Sequence, residues 1–401
     1  MKKLYLLLDE WKNDRNFVGS ELEVIKQHFD VTVICNDFDD KASCQFPENV
    51  RFYFYRRKAG IWAILYGLKF FLDKDLYAEL KNLKTEDNKF AKFSEIIRFY
   101  INGELFHKYL GDHDFISESS DAIYYSYWYF WKCFGVVKHR DKYPGIKAIT
   151  RVHGYDLYKD QIPTNYQAFK EVMDKKLDRI VFISEHGFEY YLNSFGINKL
   201  SKHLLYKLGT TNTFGLNTNS IDDSVIRIVS CSSVIELKRV ELIANALSTI
   251  NHQKISWVHF GNGLLYEDLK NKAKRLLDAK ENIEYSFPGY VVNSEIMNYY
   301  SKNHVDAFLM VSRSEGNPVS VIEAMSFGIP VISTSITNMP NLIKGNGILI
   351  SENPSPEELA EAIKKLPFGD SIREQSRKLW EQEYQSEINN QRFVEEVLLQ
   401  L

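Results

Sequence analysis

The stretch that decides the fold reads SRSEGNPVSVIEAMSFGIP and covers residues 312–330. It follows the apolar run VDAFLMV at residues 305–311, which is typical of a buried parallel strand. Asn317 suits a helix N-cap, with Pro318 at the first helical position, where the missing N–H costs nothing. A glycine and a proline near the end of the stretch mark the end of the helix. The sequence therefore predicts a strand, a tight turn and a helix over residues 318–327.

Two glutamates eight positions apart, Glu315 and Glu323, lie on either side of the start of this helix. The first N–H groups of a helix have no internal partner and carry the positive end of its dipole, so they favour a phosphate. At a rise of about 1.5 Å per residue, Glu323 lies about 7–8 Å along the axis from Pro318. The two carboxylates could therefore bind hydroxyl groups on opposite sides of a diphosphate, one on a sugar and one on a ribose. The alternative is that both are solvated surface residues.

The whole stretch resembles the E-x7-E motif of the retaining glycosyltransferases of family 4. The positions that carry the resemblance are Glu315, Gly316, Pro318, Glu323, Ala324, Met325, Gly328 and Pro330. The resemblance implies that Glu315 acts at the transferred sugar. It also implies donor-binding contacts from the start of the helix and from the second glutamate, at Gly316, Asn317, Pro318, Val319 and Glu323.

Composition narrows the class of protein. The 401 residues are enough for two domains, and a net charge of -3 with 26% charged residues gives no reason to expect a nucleic acid as partner. The four cysteines lie far apart with no C-x-x-C pair, which favours free thiols in a reducing compartment. The first apolar run is too short for a signal peptide, and no run reaches the ~20 residues of a membrane span. We therefore expect a cytoplasmic protein, soluble or peripheral to a membrane.

Short apolar strands alternate with helical stretches twice along the chain, which predicts two α/β domains with parallel sheets. Two Rossmann-like domains of this kind, facing each other across a central cleft at the carboxyl ends of their strands, form the GT-B fold that the resemblance implies. The last helix is then expected to cross back to the first domain. The expected boundaries are an N-terminal acceptor domain at 1–208, a linker at 209–224, a C-terminal nucleotide-sugar donor domain at 225–380 and a C-terminal helix at 381–401.

One region, residues 56–110, interrupts the alternation and is expected to be a helical insertion. Its start, residues 56–72, joins three basic residues to an aromatic-rich apolar stretch. Such a composition suits a helix lying in a membrane interface, and it also suits an ordinary core helix. Both interpretations remain open, and the first would add a peripheral membrane contact to the partners of the protein.

A lysine at the start of the second domain, Lys238, is the predicted contact to the donor diphosphate. It resembles the lysine that follows the first strand of this domain in the family. Many members also have an arginine a few residues upstream, where this chain has Ser232 and Ser233, and a glycine where it has Arg239. Arg239 is therefore a candidate to take over the role of that arginine. The alternative is a pair of solvated basic residues at a helix start.

Two loops after the next strands complete the predicted donor site. Gly261 and Asn262 lie in a Phe-Gly-Asn-Gly turn where the backbone can approach a ligand closely. Gly289 and Tyr290 follow the next strand and resemble the segment of the family that meets the base. Ordinary strand-to-helix turns explain both loops almost as well.

His153 and Gly19 are the candidates in the first domain. His153 ends a predicted strand and can hydrogen-bond a sugar hydroxyl through either ring nitrogen. It resembles the family histidine that contacts the donor hexose. Gly19 resembles the family's glycine turn before the first helix, where donor and acceptor meet.

The resemblance implies a retaining hexosyl or N-acetylhexosaminyl transfer from a nucleotide sugar, UDP-sugar being favoured, to a glycan or lipid-linked acceptor. We expect no cofactor and no metal ion, since no Asp-x-Asp cluster lies near the motif. Two alternatives remain open: a sugar-nucleotide epimerase of the same fold, which needs no acceptor, and a non-catalytic partner of another glycosyltransferase.

Overall fold

The computed structural model describes residues 1–39, 41, 44–57, 72–83, 89–113, 121–216, 224–366 and 369–401. The chain divides into two compact units. The first consists of Met1–Lys207 together with Asn390–Leu401, and the second of Leu208–Asn389.

The first unit contains a parallel sheet. Its strands are β1 (Lys3–Leu7), β2 (Asp30–Asn36), β3 (Arg51–Tyr55), β4 (Ile123–Ser126), β5 (Lys147–Val152), β6 (Arg179–Phe182) and β7 (His203–Leu205). They lie in the order β3-β2-β1-β4-β5-β6-β7. Alternate residues of β1 pack into different cores, Leu4 and Leu6 on one face and Tyr5 and Leu7 on the other. This burial on both faces is why the strand reads as a continuous apolar run.

Helices cover both faces of this sheet. They are α1 (Trp11–His28), α2 (Lys74–Leu83), α3 (Lys89–Asp112), α4 (Trp131–Lys142), α5 (Lys170–Lys176) and α6 (Glu185–Phe195), with a 3-10 turn at Lys159–Gln161. The predicted insertion contributes α2 and α3, and several of their apolar side chains, including Leu76, Phe99 and Phe106, are buried in the core of this unit. Residues 56–72, for which both a membrane interface and an ordinary core helix remained open, lie largely outside the described residues, which resume at Leu72.

The second unit repeats the architecture. Its strands are β8 (Val225–Cys231), β9 (Lys254–Phe260), β10 (Ile283–Gly289), β11 (Ala307–Met310), β12 (Val331–Thr334) and β13 (Gly347–Ile350), in the parallel order β10-β9-β8-β11-β12-β13. The helices are α7 (Glu241–Ser248), α8 (Tyr266–Leu277), α9 (Asn293–Lys302), α10 (Val319–Ser326), α11 (Met339–Leu342), α12 (Pro356–Lys365) and α13 (Asp370–Glu383). The chain order reverses between β8 and β11, which creates the crevice where such sheets bind ligands.

The end of the chain returns to the first unit. Helix α14 (Ser386–Phe393) continues into a π-helical turn at Val394–Leu398, and the side chains of Phe393, Val394, Val397 and Leu398 are fully buried in a core of the first unit. Arg151 places its guanidinium 4.2 Å from the ring centroid of Phe393 and pairs with Glu21 at 2.9 Å. The predicted crossing of the C-terminal helix is therefore confirmed.

The described part of the predicted linker, residues 209–216, packs on the second unit. The backbone N–H of Thr210 donates to the Tyr384 carbonyl at 2.9 Å, and the Trp380 indole donates to the Thr210 hydroxyl at 2.8 Å. The amide of Asn212 donates to the Ser326 carbonyl at 2.8 Å.

In the described part of the chain, every helix is too short or too polar to cross a lipid bilayer.

Candidate functional site

The loops after β8 and β11 carry the two predicted charged contacts, and the structure brings them together. The ammonium of Lys238 lies 2.5 Å from the carboxylate of Glu315, although 77 positions separate them in sequence. Ser312 donates its hydroxyl to the same carboxylate oxygen at 2.6 Å, and the Thr337 hydroxyl donates to the Glu315 carbonyl at 2.5 Å. The side chains of Lys238 and Glu315 are only 20% and 13% exposed. A cation and a carboxylate are thus held at the crevice of this sheet.

The helix start differs from the prediction by one position. Pro318 is itself the cap residue, in an extended conformation, and the helix begins at Val319. The predicted cap by Asn317 is therefore wrong: Pro318 itself has ψ 99, outside the helical region, so the first helical residue is Val319. Both amide atoms of Asn317 are buried, and no described residue bonds to them. Gly316 and Val319 lie beside it, half-buried.

The second glutamate of the motif, Glu323, lies on α10. Its carboxylate accepts a hydrogen bond of 2.6 Å from the Asn293 amide. Burial raises the pKa of Glu323 to about 7, and the Asn293 bond opposes the rise. Burial therefore favours the protonated form of this carboxyl in the unliganded protein.

Arg239 takes a structural position. Its guanidinium is buried and donates to the carbonyls of Val311 at 2.7 Å, Ser312 at 2.9 Å and Glu352 at 2.8 Å. Its backbone has φ 50, in the left-handed region that favours glycine, which is the residue found here in many family members. These bonds occupy the guanidinium, so we assign Arg239 a structural role in place of the predicted contact to the diphosphate.

Replacement of Arg239 by alanine is expected to lower the free energy of unfolding by about 2 kcal/mol, because buried carbonyls lose charged donors. Denaturant unfolding followed by far-UV circular dichroism measures the loss. The matched control is Arg313→Ala, since Arg313 is 53% exposed and pairs with Glu236 at 3.0 Å on the surface. That change should cost less than about 0.5 kcal/mol. Equal effects of the two substitutions would contradict the structural role of Arg239.

The two predicted glycine loops meet at the same edge of the sheet. The N–H of Gly261 donates to the Gly289 carbonyl at 2.8 Å, and the Val234 N–H donates to the Asn262 carbonyl at 3.0 Å. Gly261 has φ 144, and a Cβ there would overlap the Ser232 carbonyl, so only glycine fits. Beyond Gly289, Tyr290 is 76% exposed. The loops after β8, β9 and β10 therefore form one continuous rim.

In the first unit, His153 follows the last residue of β5. Asp156 fixes the turn by accepting the His153 backbone N–H at 2.6 Å and the Tyr129 backbone N–H at 2.7 Å. The imidazole lies between the rings of Tyr127 and Trp128, at centroid distances of 4.8 and 4.4 Å. Neither ring nitrogen has a hydrogen-bond partner among the described residues. Both nitrogens are buried, and Nδ1 lies 3.7 Å from a carboxylate oxygen of Asp156. The contact of His153 with a sugar hydroxyl stays a prediction.

Gly19 does not lie in a turn before the first helix. It lies inside α1, and a Cβ built on it would meet nothing within 4 Å. The turn after β1 is held instead by Asp14, whose carboxylate accepts the Asp9 N–H at 2.8 Å and the Trp128 indole N–H at 3.2 Å. The sequence places the turn wrongly because α1 begins directly after β1.

Two charged side chains that lie near the turn after β1, Lys132 and Asp14, were not identified from the sequence. Lys132 is buried and donates to the Leu8 carbonyl, with Asp9 at 3.5 Å. Burial lowers the pKa of Lys132, and Asp9 opposes that shift. Burial raises the pKa of Asp14. An isolated lysine or aspartate near a helix start gives no sequence signal that distinguishes it from a solvated residue.

Comparison with known proteins gives a family model that matches part of the chain and solved structures with a similar fold. The family Glycosyl transferases group 1 matches residues 217–382. The O-antigen biosynthesis glycosyltransferase WclY of Escherichia coli is 28% identical over 210 residues, which is 47% of this chain and 54% of WclY. The chain thus matches about half the length of this relative.

Among the described residues, no three carboxylate, histidine or cysteine side chains converge as a metal site requires.

Solved structures resemble the chain over its whole length. The lipopolysaccharide outer core galactosyltransferase WaaB, in its apo form, has a TM-score of 0.70 at 16% identity, with 100% of both chains covered. Anabaena Alr3699/HepE, solved in complex with UDP-glucose, has a TM-score of 0.68 at 13% identity, again with 100% of both chains covered. At these identities the likeness concerns the fold, and it confirms the predicted GT-B fold.

Proposed function

We propose that the chain is a glycosyltransferase of bacterial surface-polysaccharide assembly, which transfers a hexose or N-acetylhexosamine from a UDP-sugar to a glycan or lipid-linked acceptor with retention of configuration. The observation that carries the proposal is the Lys238–Glu315 pair at the crevice of the second unit, with Glu323 eight positions further on α10. Support comes from the family match over this unit and from a relative named as an O-antigen glycosyltransferase.

The proposed chemistry is the breaking of the bond between the sugar C1 and the diphosphate oxygen. The electron pair of that bond goes to the diphosphate. The acceptor hydroxyl oxygen forms the new bond to C1 from the same face, and its proton passes to the leaving phosphate oxygen. The charge that develops on the diphosphate is where a positioned cation stabilises the transition state most.

Each motif residue has one part in this scheme. Lys238 binds the diphosphate, together with the unpaired N–H groups at the start of α10. Glu315 binds a hydroxyl of the hexose and, without substrate, holds Lys238 in place at 2.5 Å. Glu323 accepts hydrogen bonds from the ribose hydroxyls, and His153 is the proposed hydrogen-bond partner of a hexose hydroxyl. The proposal includes no metal ion.

A thermal-shift titration with UDP, GDP and their sugars tests the donor class, because a ligand that binds the native state must raise its stability. We expect UDP at 100 times its Kd to raise the free energy of unfolding by about 2.7 kcal/mol, and with it the midpoint temperature. Stabilisation by GDP alone would change the nucleotide, and no stabilisation by either would contradict the proposal. Product analysis without acceptor separates transfer from epimerisation, since only an epimerase converts the free sugar nucleotide.

A further inference from the structure

A cavity of about 490 Å³ opens in the first unit where β2 and β3 end. Asn36 and Tyr55, the last residues of these strands, belong to its wall. Because the sheet is parallel, this is the edge at which β1 leads to Asp9 and β5 leads to His153. Open α/β sheets bind ligands outside the carboxyl ends of their strands, and the volume is in the range of about 300–1,000 Å³ of small-molecule sites.

The inner part of the cavity suits a sugar ring. Tyr55 and Trp131 lie against each other with ring centroids 5.9 Å apart, and Trp131 is half-buried at the start of α4. Aromatic faces present apolar area to the C–H groups of a ring while leaving its hydroxyls free. The side-chain oxygen of Asn102 is buried in the wall, and no described group donates to it. A sugar hydroxyl would satisfy that oxygen.

Among the described residues, the outer part carries an excess of positive charge. Lys41, Arg56 and Arg57 line it, against the carboxylates of Asp37 and Asp39. Asp37 binds two of the cations: Arg56 at 3.0 Å and Lys41. Lys41 lowers the pKa of Asp37, followed in effect by Arg56. Arg57 forms no ion pair with any described residue, and three cations against two carboxylates leave one positive charge.

We propose that this cavity binds the acceptor, and that the acceptor is a sugar bearing an anionic group, a phosphate or a carboxylate. The inference rests on the proposed function, because the ligand of this cavity is an acceptor only if the chain transfers a sugar to it. The ring stacks on Trp131 and donates a hydroxyl hydrogen to Asn102. The anionic group binds Arg56 and Arg57, whose planar donors match phosphate and carboxylate oxygens.

The test is calorimetric titration of the full chain, saturated with UDP, with glucose, glucose 1-phosphate, glucuronic acid and inorganic phosphate. We expect at least one of the two anionic sugars to bind about tenfold more tightly than glucose, because the anionic group adds contacts to the arginines. We also expect glucose 1-phosphate to bind more tightly than inorganic phosphate, because the ring adds its own contacts. The double substitution Arg56→Ala and Arg57→Ala should weaken the anionic sugar about tenfold.

Arg51→Ala is the matched control. Arg51 is the first residue of β3, at the end of the strand opposite to Arg56 and Arg57. Its side chain is 54% exposed and pairs with Asp30 at 2.7 Å. It should leave binding within about twofold. Equal binding of glucose and both anionic sugars, or equal effects of the double variant and Arg51→Ala, would overturn the inference.

The two sugar arms distinguish a phosphate-bearing from a carboxylate-bearing acceptor. The thermal-shift titration of the wild type with UDP tests the proposed transfer independently of the sugar titrations. If UDP fails to stabilise the chain while the arginine-dependent binding persists, the proposed transfer fails and the cavity remains a site for anionic sugars. If UDP binds and no anionic sugar does, only the acceptor inference fails.

Discussion

Replacement of Lys238 by alanine is expected to lower the rate of sugar transfer by about 10²–10³-fold, the loss that follows removal of one preorganised group from a developing negative charge. The ammonium lies 2.5 Å from the Glu315 carboxylate and the Lys238 side chain is only 20% exposed, so the charge is positioned before substrate arrives. The loss should fall mainly on kcat, because the charge of the diphosphate grows as the bond to the sugar breaks. Initial rates of UDP release with acceptor present measure it.

Lys270→Ala is the control for this substitution. Lys270 pairs with Glu267 at 3.2 Å on α8, where both side chains are solvated, at 47% and 73% exposure. Its loss should leave kcat within about twofold, since exposed ion pairs contribute little. Transfer at wild-type rate by the Lys238 variant would remove the assignment of this residue to the diphosphate. A parallel loss in both variants would indicate a general effect of charge.

The fold was predictable because its signals are local. The apolar run at residues 305–311, for example, contains β11, which is buried on both faces: Phe308 packs into one core and Leu309 into another. The glycine at 261 similarly announces a turn in which a side chain cannot fit. Patterns that depend on a few neighbouring residues survive folding unchanged, so the strands and helices of both sheets could be anticipated. The return of the C-terminal helix is a long-range contact, and only the resemblance to the family led us to expect it.

The site was predictable only in part, because its partners are distant in sequence. Nothing near Lys238 indicates that its ammonium meets Glu315, and nothing near Arg239 indicates four acceptors, contributed partly by Glu352 and Asn353. The two adjacent basic residues look equivalent in the sequence. In the structure Lys238 ends a 3-10 turn at the crevice, whereas the left-handed backbone of Arg239 turns its side chain inward. A single backbone angle thus separates a candidate ligand contact from a structural residue.

Replacement of Glu323 by glutamine is expected to weaken UDP binding about 100-fold at pH 8 and, at the same pH, to stabilise the unliganded protein. The carboxylate can accept both ribose hydroxyls, and hydrogen bonds to charged groups contribute about 1.5–3 kcal/mol each. Glutamine keeps one acceptor, which the Asn293 amide already uses in the unliganded protein at 2.6 Å. Calorimetric titration with UDP measures the affinity, and thermal unfolding measures the stability.

The sign of the stability change follows from the pKa of Glu323, which burial raises from 4.5 to about 7. The folded state therefore binds the proton more tightly than the unfolded state, so the contribution of this carboxyl is complete below pH 4.5 and lost as the pH rises through 7. Glutamine removes that loss. Because the side chain is only partly buried, we expect a gain of about 1 kcal/mol, or about 2–4 °C, at pH 8 and none at pH 4.

The same carboxyl gives UDP binding a dependence on pH. If the ribose binds the ionised form, affinity for UDP falls about tenfold for each unit of pH well below 7 in the wild type, and binding at neutral pH releases a proton. In the Glu323→Gln variant the dependence disappears. Glu374→Gln, at an exposed position on α13, is the control and should change neither property. A pH-independent affinity in the wild type would mean that Glu323 meets the ribose in its neutral form or does not meet it, and a destabilised variant would contradict the desolvation of its charge.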